Sequence, residues 1–175
     1  MKPIVTQILI VLLITTGSFG ASAERPNVVL ILADDQGYGD VGFNGGEEIP
    51  TPALDALAAS GVVFTDGYVT APQCAPSRAG LLSGRYQNEF ARAHNWAIDA
   101  FGVPDSVPMF AELMREAGYA TGMVGKWHQS ALPLSRNPSD TPNGRGFEYF
   151  YGHLTGGTHY FPPEGEESIP YLQRN

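Results

Sequence analysis

The feature that most constrains this chain is an unbroken run of β-branched residues and leucine, Asn27 to Leu32 (NVVLIL), which stops at Ala33-Asp34-Asp35. Strict alternation would mark a strand with one wet face. A continuous apolar run instead fits a strand covered on both faces, the habit of parallel sheets, whose strands must be joined by crossover helices. Helical signals follow in the right places. Thr51 and Pro52 read as an N-cap and an N1 proline, Leu54, Leu57 and Ala58 keep helical spacing, and Gly61 stands where that helix would end. A second strand is expected at Val62 to Thr65, and a helix over Ser77 to Ser83 opened by Pro76. Met109, Phe110, Leu113, Met114 and Ala117 form an apolar helical face closed by Gly118, and Tyr119 to Val124 reads as a third strand. This order predicts an α/β fold with parallel pairing and right-handed crossovers.

Beyond Trp127 the pattern dissolves. From Leu132 to Asn175 Pro and Gly recur every few residues, with aromatic clusters at Phe147 to Tyr151 and Tyr160-Phe161 and no periodic element. A compact domain rarely carries so long a stretch without structure of its own, and open parallel sheets usually have more than three strands. The expectation is an incomplete domain over residues 24 to 175. At the other end, Met1 to Ala23 carries Lys2, the apolar run Ile8 to Ile14, and Ala21-Ser22-Ala23, which fits an A-x-A cleavage site. Ile8 to Ile14 is far short of the roughly 20 apolar residues of a spanning helix. Residues 1 to 23 are therefore expected to be a cleaved signal peptide, and the product to be secreted or periplasmic, with no membrane association after cleavage.

Composition narrows the function. With 43% hydrophobic and 11% aromatic residues the chain is not disordered, and 10 Lys+Arg against 18 Asp+Glu, a formal charge of -8, speaks against a nucleic-acid partner. One cysteine cannot build a disulfide scaffold. In an oxidising compartment Cys74 is a buried filler, an intermolecular link, or a residue kept for its chemistry.

Two clusters carry chemistry by their own residues. Asp34 and Asp35 stand where the first apolar run ends. Adjacent carboxylates raise one another's pKa unless a cation neutralises them, and hard oxygen donors suit Ca²⁺ or Mg²⁺; the same pair also serves as a helix cap or a solvated turn. The second cluster is Cys74-Ala75-Pro76-Ser77-Arg78, continuing to Leu82-Ser83-Gly84-Arg85. A cysteine just ahead of a helix meets free N–H groups and the positive end of the dipole, which suit a tetrahedral anion, and Arg78 would add charge. A tyrosine-phosphatase loop needs a wider Cys to Arg spacing than Cys74 and Arg78 offer, and a buried cysteine beside a helix cap is the plain alternative.

Cys74-x-Pro76-Ser77-Arg78 with Leu82-Ser83-Gly84-Arg85 resembles the signature of the type I, formylglycine-dependent sulfatases. Arg25 to Asp35 is similar to that family's first strand and its opening pair of metal ligands, Thr51-Pro52-Ala53-Leu54-Asp55 to its first helix, and Gly125-Lys126-Trp127-His128 to its G-K-W-H segment. The resemblance implies an alkaline-phosphatase-like fold, a mainly parallel sheet flanked by helices, present here as its N-terminal part. It implies a sulfuric ester hydrolase acting on a sulfated small molecule or glycan, aryl or carbohydrate. Cys74 would be converted by a maturation enzyme to formylglycine (3-oxoalanine), whose aldehyde hydrates; one hydroxyl attacks sulfur and expels the alcohol, and the other helps eliminate sulfate. Asp34, Asp35 and the modified Cys74 would hold Ca²⁺. Arg78 would stabilise the nucleophile, Lys126 would contact sulfate, and His128 would assist proton removal during elimination.

The family pattern also includes a second half with an Asp-Asn pair, a further Lys and a leaving-group His, none of which follows His128 here. His94, His153 and His159 are outside the catalytic set. The rival to a sulfatase is a truncated, non-catalytic relic with weak ion binding. A phosphatase or phosphodiesterase of the related fold is disfavoured, because Cys74 stands where those enzymes place Ser or Thr.

Overall fold

The computed structural model describes residues 25 to 90, 102 to 130, 139, 141 to 159, 161, 164 and 172 to 174. The expected signal peptide and His94 lie outside them. The chain divides into two units, Met1–Ala33 and Asp34–Asn175. In the first, the described residues 25 to 33 form no strand, and Val28 to Leu32 are exposed. The expected strand at Asn27 to Leu32 is thus not formed. A strand exists only where a neighbour takes its backbone hydrogen bonds, and no described residue does so.

In the second unit, short 3-10 turns at Tyr38–Asp40 and Gly42–Asn44 lead to helix α1, Pro52–Ser60, with proline in its first turn and Gly61 following it. Thr51 stands at the N-cap, but its hydroxyl makes no cap bond to a backbone N–H of the helix. It accepts from the Gly42 N–H at 2.8 Å and donates to Asp55 Oδ1 at 3.1 Å, while the Phe43 N–H also donates to that oxygen at 2.8 Å. These bonds fasten the helix to the turn before it. The expected strand at Val62 to Thr65 is exposed irregular chain.

Helix α2 spans Cys74–Ser83 and closes on Gly84, whose φ of 64° is the left-handed cap that glycine adopts without a Cβ penalty. Helix α3 is Phe110–Glu116, matching the apolar face read from Met109 to Ala117. Strand β1 is Gly122–Lys126, starting three residues and ending two residues later than the third expected strand. The tail is not without structure. It supplies β2, Tyr149–His153, parallel to β1, and β3, Leu172–Arg174, antiparallel to β2, in the order β1-β2-β3.

The core lies between these elements. Trp127, Phe147, Phe150 and Met109 are buried together with Ala79 and Leu82 of α2. Phe147 meets Trp127 edge to face at 6.1 Å and Phe110 at 5.9 Å, the geometry aromatic quadrupoles favour. Arg145, 2% exposed, donates to the carbonyls of Val103 and Val107 at 2.6 Å each and pairs with Glu112 at 3.2 Å, and Glu112 in turn accepts from the Met109 N–H at 2.6 Å. One guanidinium thereby holds the loop before α3, the start of α3, and the turn before β2. Among the described residues no helix is long and apolar enough to cross a membrane.

Candidate functional site

Strand β1 ends at Lys126, and its parallel partner in register is His153. Just before them, Gly125 has φ 108° and faces Gly152; a Cβ on Gly152 would run into the Gly125 backbone. The missing Cβ of Gly152 lets the strands close here, while Gly125 supplies the positive φ. The pairing continues past β1, with the Trp127 N–H donating to the His153 carbonyl at 2.9 Å and the His128 N–H to the Leu154 carbonyl at 3.0 Å. A Cβ on Gly156 would stand 2.6 Å from the His128 ring, so the glycine-rich loop after β2 forms a floor that the imidazole covers.

Lys126 is largely buried, and its ammonium donates to Asp34 Oδ2 at 2.6 Å. Arg78 reaches the other carboxylate oxygen at 3.7 Å and donates through Nη1 to the Lys126 carbonyl at 2.6 Å. Cys74, half-buried, is the first residue of α2 and lies one turn before Arg78, on the same side of the helix. Expected just ahead of the helix, Cys74 is instead the first residue of its first turn.

The charges explain the titration. Burial pushes the Asp34 carboxyl up, but the hydrogen bond and charge of Lys126, with Arg78 and His128 behind them, outweigh it and hold the group below its ordinary value. His153 is also held below its ordinary value. Burial is the main cause and the charges of Lys126 and Arg78 add to it, against a hydrogen bond between its Nδ1 and the Thr155 carbonyl and the charge of Asp34. Neutral His153 with Nδ1–H donating to that carbonyl keeps the Nε2 lone pair.

The structure therefore brings Asp34, Arg78 and Lys126 together, with His128 close enough to act on Asp34. Asp35 and His128 are the non-glycine residues with positive φ among those described, at 59° and 56°. Backbone strain of this kind concentrates at functional sites. His153, read from sequence as an ordinary loop histidine, is a strand residue beside Lys126, while His159 is exposed. The available signal was the aromatic cluster Phe147 to Tyr151, whose residues favour strands. Two carboxylates, Asp34 and Asp35, are the right kind of donor for Ca²⁺ but too few to enclose it, and no group of three or more His, Cys, Asp or Glu side chains able to hold a metal occurs among the described residues.

Comparison with known proteins gives the family. The Sulfatase family model matches residues 26–171. Arylsulfatase G of Mus musculus is 44% identical over 131 residues, 74% of this chain and 24% of the relative. The arylsulfatase of Klebsiella aerogenes is 38% identical over 158 residues, 86% of this chain and 32% of the relative. Among solved structures, Ps i-CgsB superposes with a TM-score of 0.75 at 40% identity, covering 87% of this chain and 36% of its own. The same protein in complex with k-i-k-neocarrahexaose superposes with a TM-score of 0.75 at 39% identity, covering 87% of this chain and 36% of its own. The chain spans about a quarter to a third of the length of these curated relatives. With the family pattern running through most of its length and the fold matched over the same stretch, the chain belongs to the sulfatase family.

Proposed function

We propose that this chain forms the N-terminal, nucleophile-bearing part of an exported sulfatase that hydrolyses sulfate esters. The observation that carries the reading is the cation pair Lys126 and Arg78, braced on Asp34, with Arg78 on the helix that bears Cys74 and Lys126 at the end of the strand that His128 follows. A sulfate monoester presents a tetrahedral anion, and two largely buried cations with a helix N-terminus are what such an anion needs. Asp34 offsets part of their charge, so the pair can lie close together before substrate arrives. Cys74 is the residue to be converted by a formylglycine-forming enzyme, and the hydrated aldehyde supplies the hydroxyl that attacks sulfur. A bare thiol has no second hydroxyl to release sulfate. Arg78 and Lys126 hold the anion and the charge that grows on it. His128, fixed by its backbone and the glycine floor, takes the proton when sulfate leaves. Asp34 and Asp35, with the modified Cys74, would be oxygen donors to Ca²⁺, which when bound adds positive charge facing the sulfate.

A carbohydrate sulfate is the favoured substrate class, supported by the oligosaccharide complex of the structural relative. Export through residues 1 to 23 accords with a secreted or periplasmic enzyme. The decisive test is the mass of the tryptic peptide bearing Cys74, from protein co-expressed with the maturation enzyme. Conversion replaces sulfur by oxygen with loss of two hydrogens. Cys74→Ala should then abolish turnover of an aryl sulfate with the fold intact. A thiol-mass peptide, or a Cys74→Ala protein as active as the parent, would favour the relic reading.

A further inference from the structure

We infer that Gln129 is a positioning residue, whose side-chain amide locks the Cys74 helix to the His128 turn and holds His128 in its left-handed conformation. The inference rests on the reading of Cys74 and His128 as reacting groups. Gln129 is 1% exposed, and its amide bonds go to the Ala75 and His128 carbonyls rather than to the cation cluster. A glutamine amide has two N–H donors. Both are spent, one on the Ala75 carbonyl at 2.8 Å and one on the His128 carbonyl at 2.7 Å. Ala75 directly follows Cys74 in the first turn of α2, so one planar group spans the two elements that must meet at the substrate.

His128 explains why such a brace is needed. Its φ of 56° is unfavourable for a side chain with a Cβ, and such a conformer persists only where the surroundings over-determine it. Its N–H is taken by the Leu154 carbonyl and its carbonyl by Gln129, so both of its own backbone polar groups are tied. Arg78 makes the opposite link, from α2 to the Lys126 carbonyl. Helix and turn are thus stapled from both sides, by Arg78 on the charged face and by Gln129 in the interior. Among the described residues the Gln129 Oε1 has no hydrogen-bond partner, so the donors, not the oxygen, account for an amide at this buried position.

The test compares the full chain carrying Gln129→Met, which keeps the length and removes both donors, with the parent. Misplacing a reacting group slightly costs catalysis out of proportion to binding, so kcat for an aryl sulfate should fall about tenfold or more while KM stays within about twofold. Conversion of Cys74, read by peptide mass, should be unchanged. Independently of activity, the backbone chemical shifts of His128 should move out of the left-handed range. In the unsubstituted protein the two Gln129 Nε2 protons should exchange slowly with solvent, a readout available even if Gln129→Met fails to fold. Unchanged kcat in a folded Gln129→Met, unchanged His128 shifts, or side-chain protons exchanging as fast as those of a surface glutamine would each overturn the inference. A parent without sulfatase activity but with the expected shifts and protection would count against the proposed function and leave the positioning role standing.

Discussion

Lys126 and Arg78 both turn toward Asp34, and the consequence reaches His153, which stands beside Lys126 in the neighbouring strand. Burial and those two cations keep its imidazole neutral below its ordinary value of 6.5, with Asp34 and the Thr155 carbonyl pulling the other way. As pH falls through 6.5, the unfolded chain takes up a proton on this histidine that the folded chain refuses, so stability should drop until the lower folded value is passed. His153→Gln should remove that part of the decline. Urea midpoints near about pH 7.5 and about pH 5.5, in parent and variant, would show it as a smaller loss in the variant. An equal loss in both would assign the decline to other groups. Asp34, Arg78, Lys126 and His128 were legible in the sequence because each lies in a short segment that resembles a sulfatase motif. His153 and Gln129 were not, because a strand register and a long-range amide bridge put them in place, and spacing along the chain encodes neither.

Elements were legible where their ends carry chemistry. Pro52 and Gly61 bracket α1, and the apolar face with Gly118 brackets α3. For α2 the same rule misleads, since Pro76 reads as the first helical residue while the helix begins at Cys74. Proline is tolerated anywhere in the first turn, where its missing N–H would find no helical partner, so it dates the start only to within a turn. Strand β2 was obscured by Gly152, a residue that weakens strands in general but is required here by the approach of Gly125. Gly152→Ala should therefore cost about 2 kcal/mol or more, as overpacking against backbone does, and lower the urea midpoint. Gly157→Ala in the loop beyond, where nothing lies within 4 Å, is the control and should change stability by under about 0.5 kcal/mol. Equal midpoints for the two variants would mean that the strands can part at Gly125 without loss.

At the scale of the molecule, the apolar runs read as the first two strands, Asn27 to Leu32 and Val62 to Thr65, take no part in the core, to which the face of α3 does contribute Met109 and Ala111. Val28 to Leu32 and the residues after α1 are exposed, whereas the buried centre gathers around Trp127, Phe147 and Phe150 from a region whose sequence shows no long period. Apolar periodicity reports a capacity for burial, and realising it depends on which neighbours arrive. What unifies the core instead is a polar group, Arg145, which closes its hydrogen bonds on two loop carbonyls and Glu112. Nothing in the turn Asn143–Arg145 marks that arginine as interior. Replacing it with methionine should fill much of the volume but orphan both carbonyls and leave Glu112 without its cation, at a cost of about 3 kcal/mol. The arginine also lies 3.8 Å from Asp105, whose side chain is 72% exposed; that contact is solvent-screened, and Asp105→Asn should change stability by under about 0.5 kcal/mol. Thermal midpoints of the two variants separate the possibilities. A large fall for Arg145→Met beside a parent-like Asp105→Asn places the stability in the buried bonds, while similar small falls would mean the loop before α3 is held by apolar packing alone.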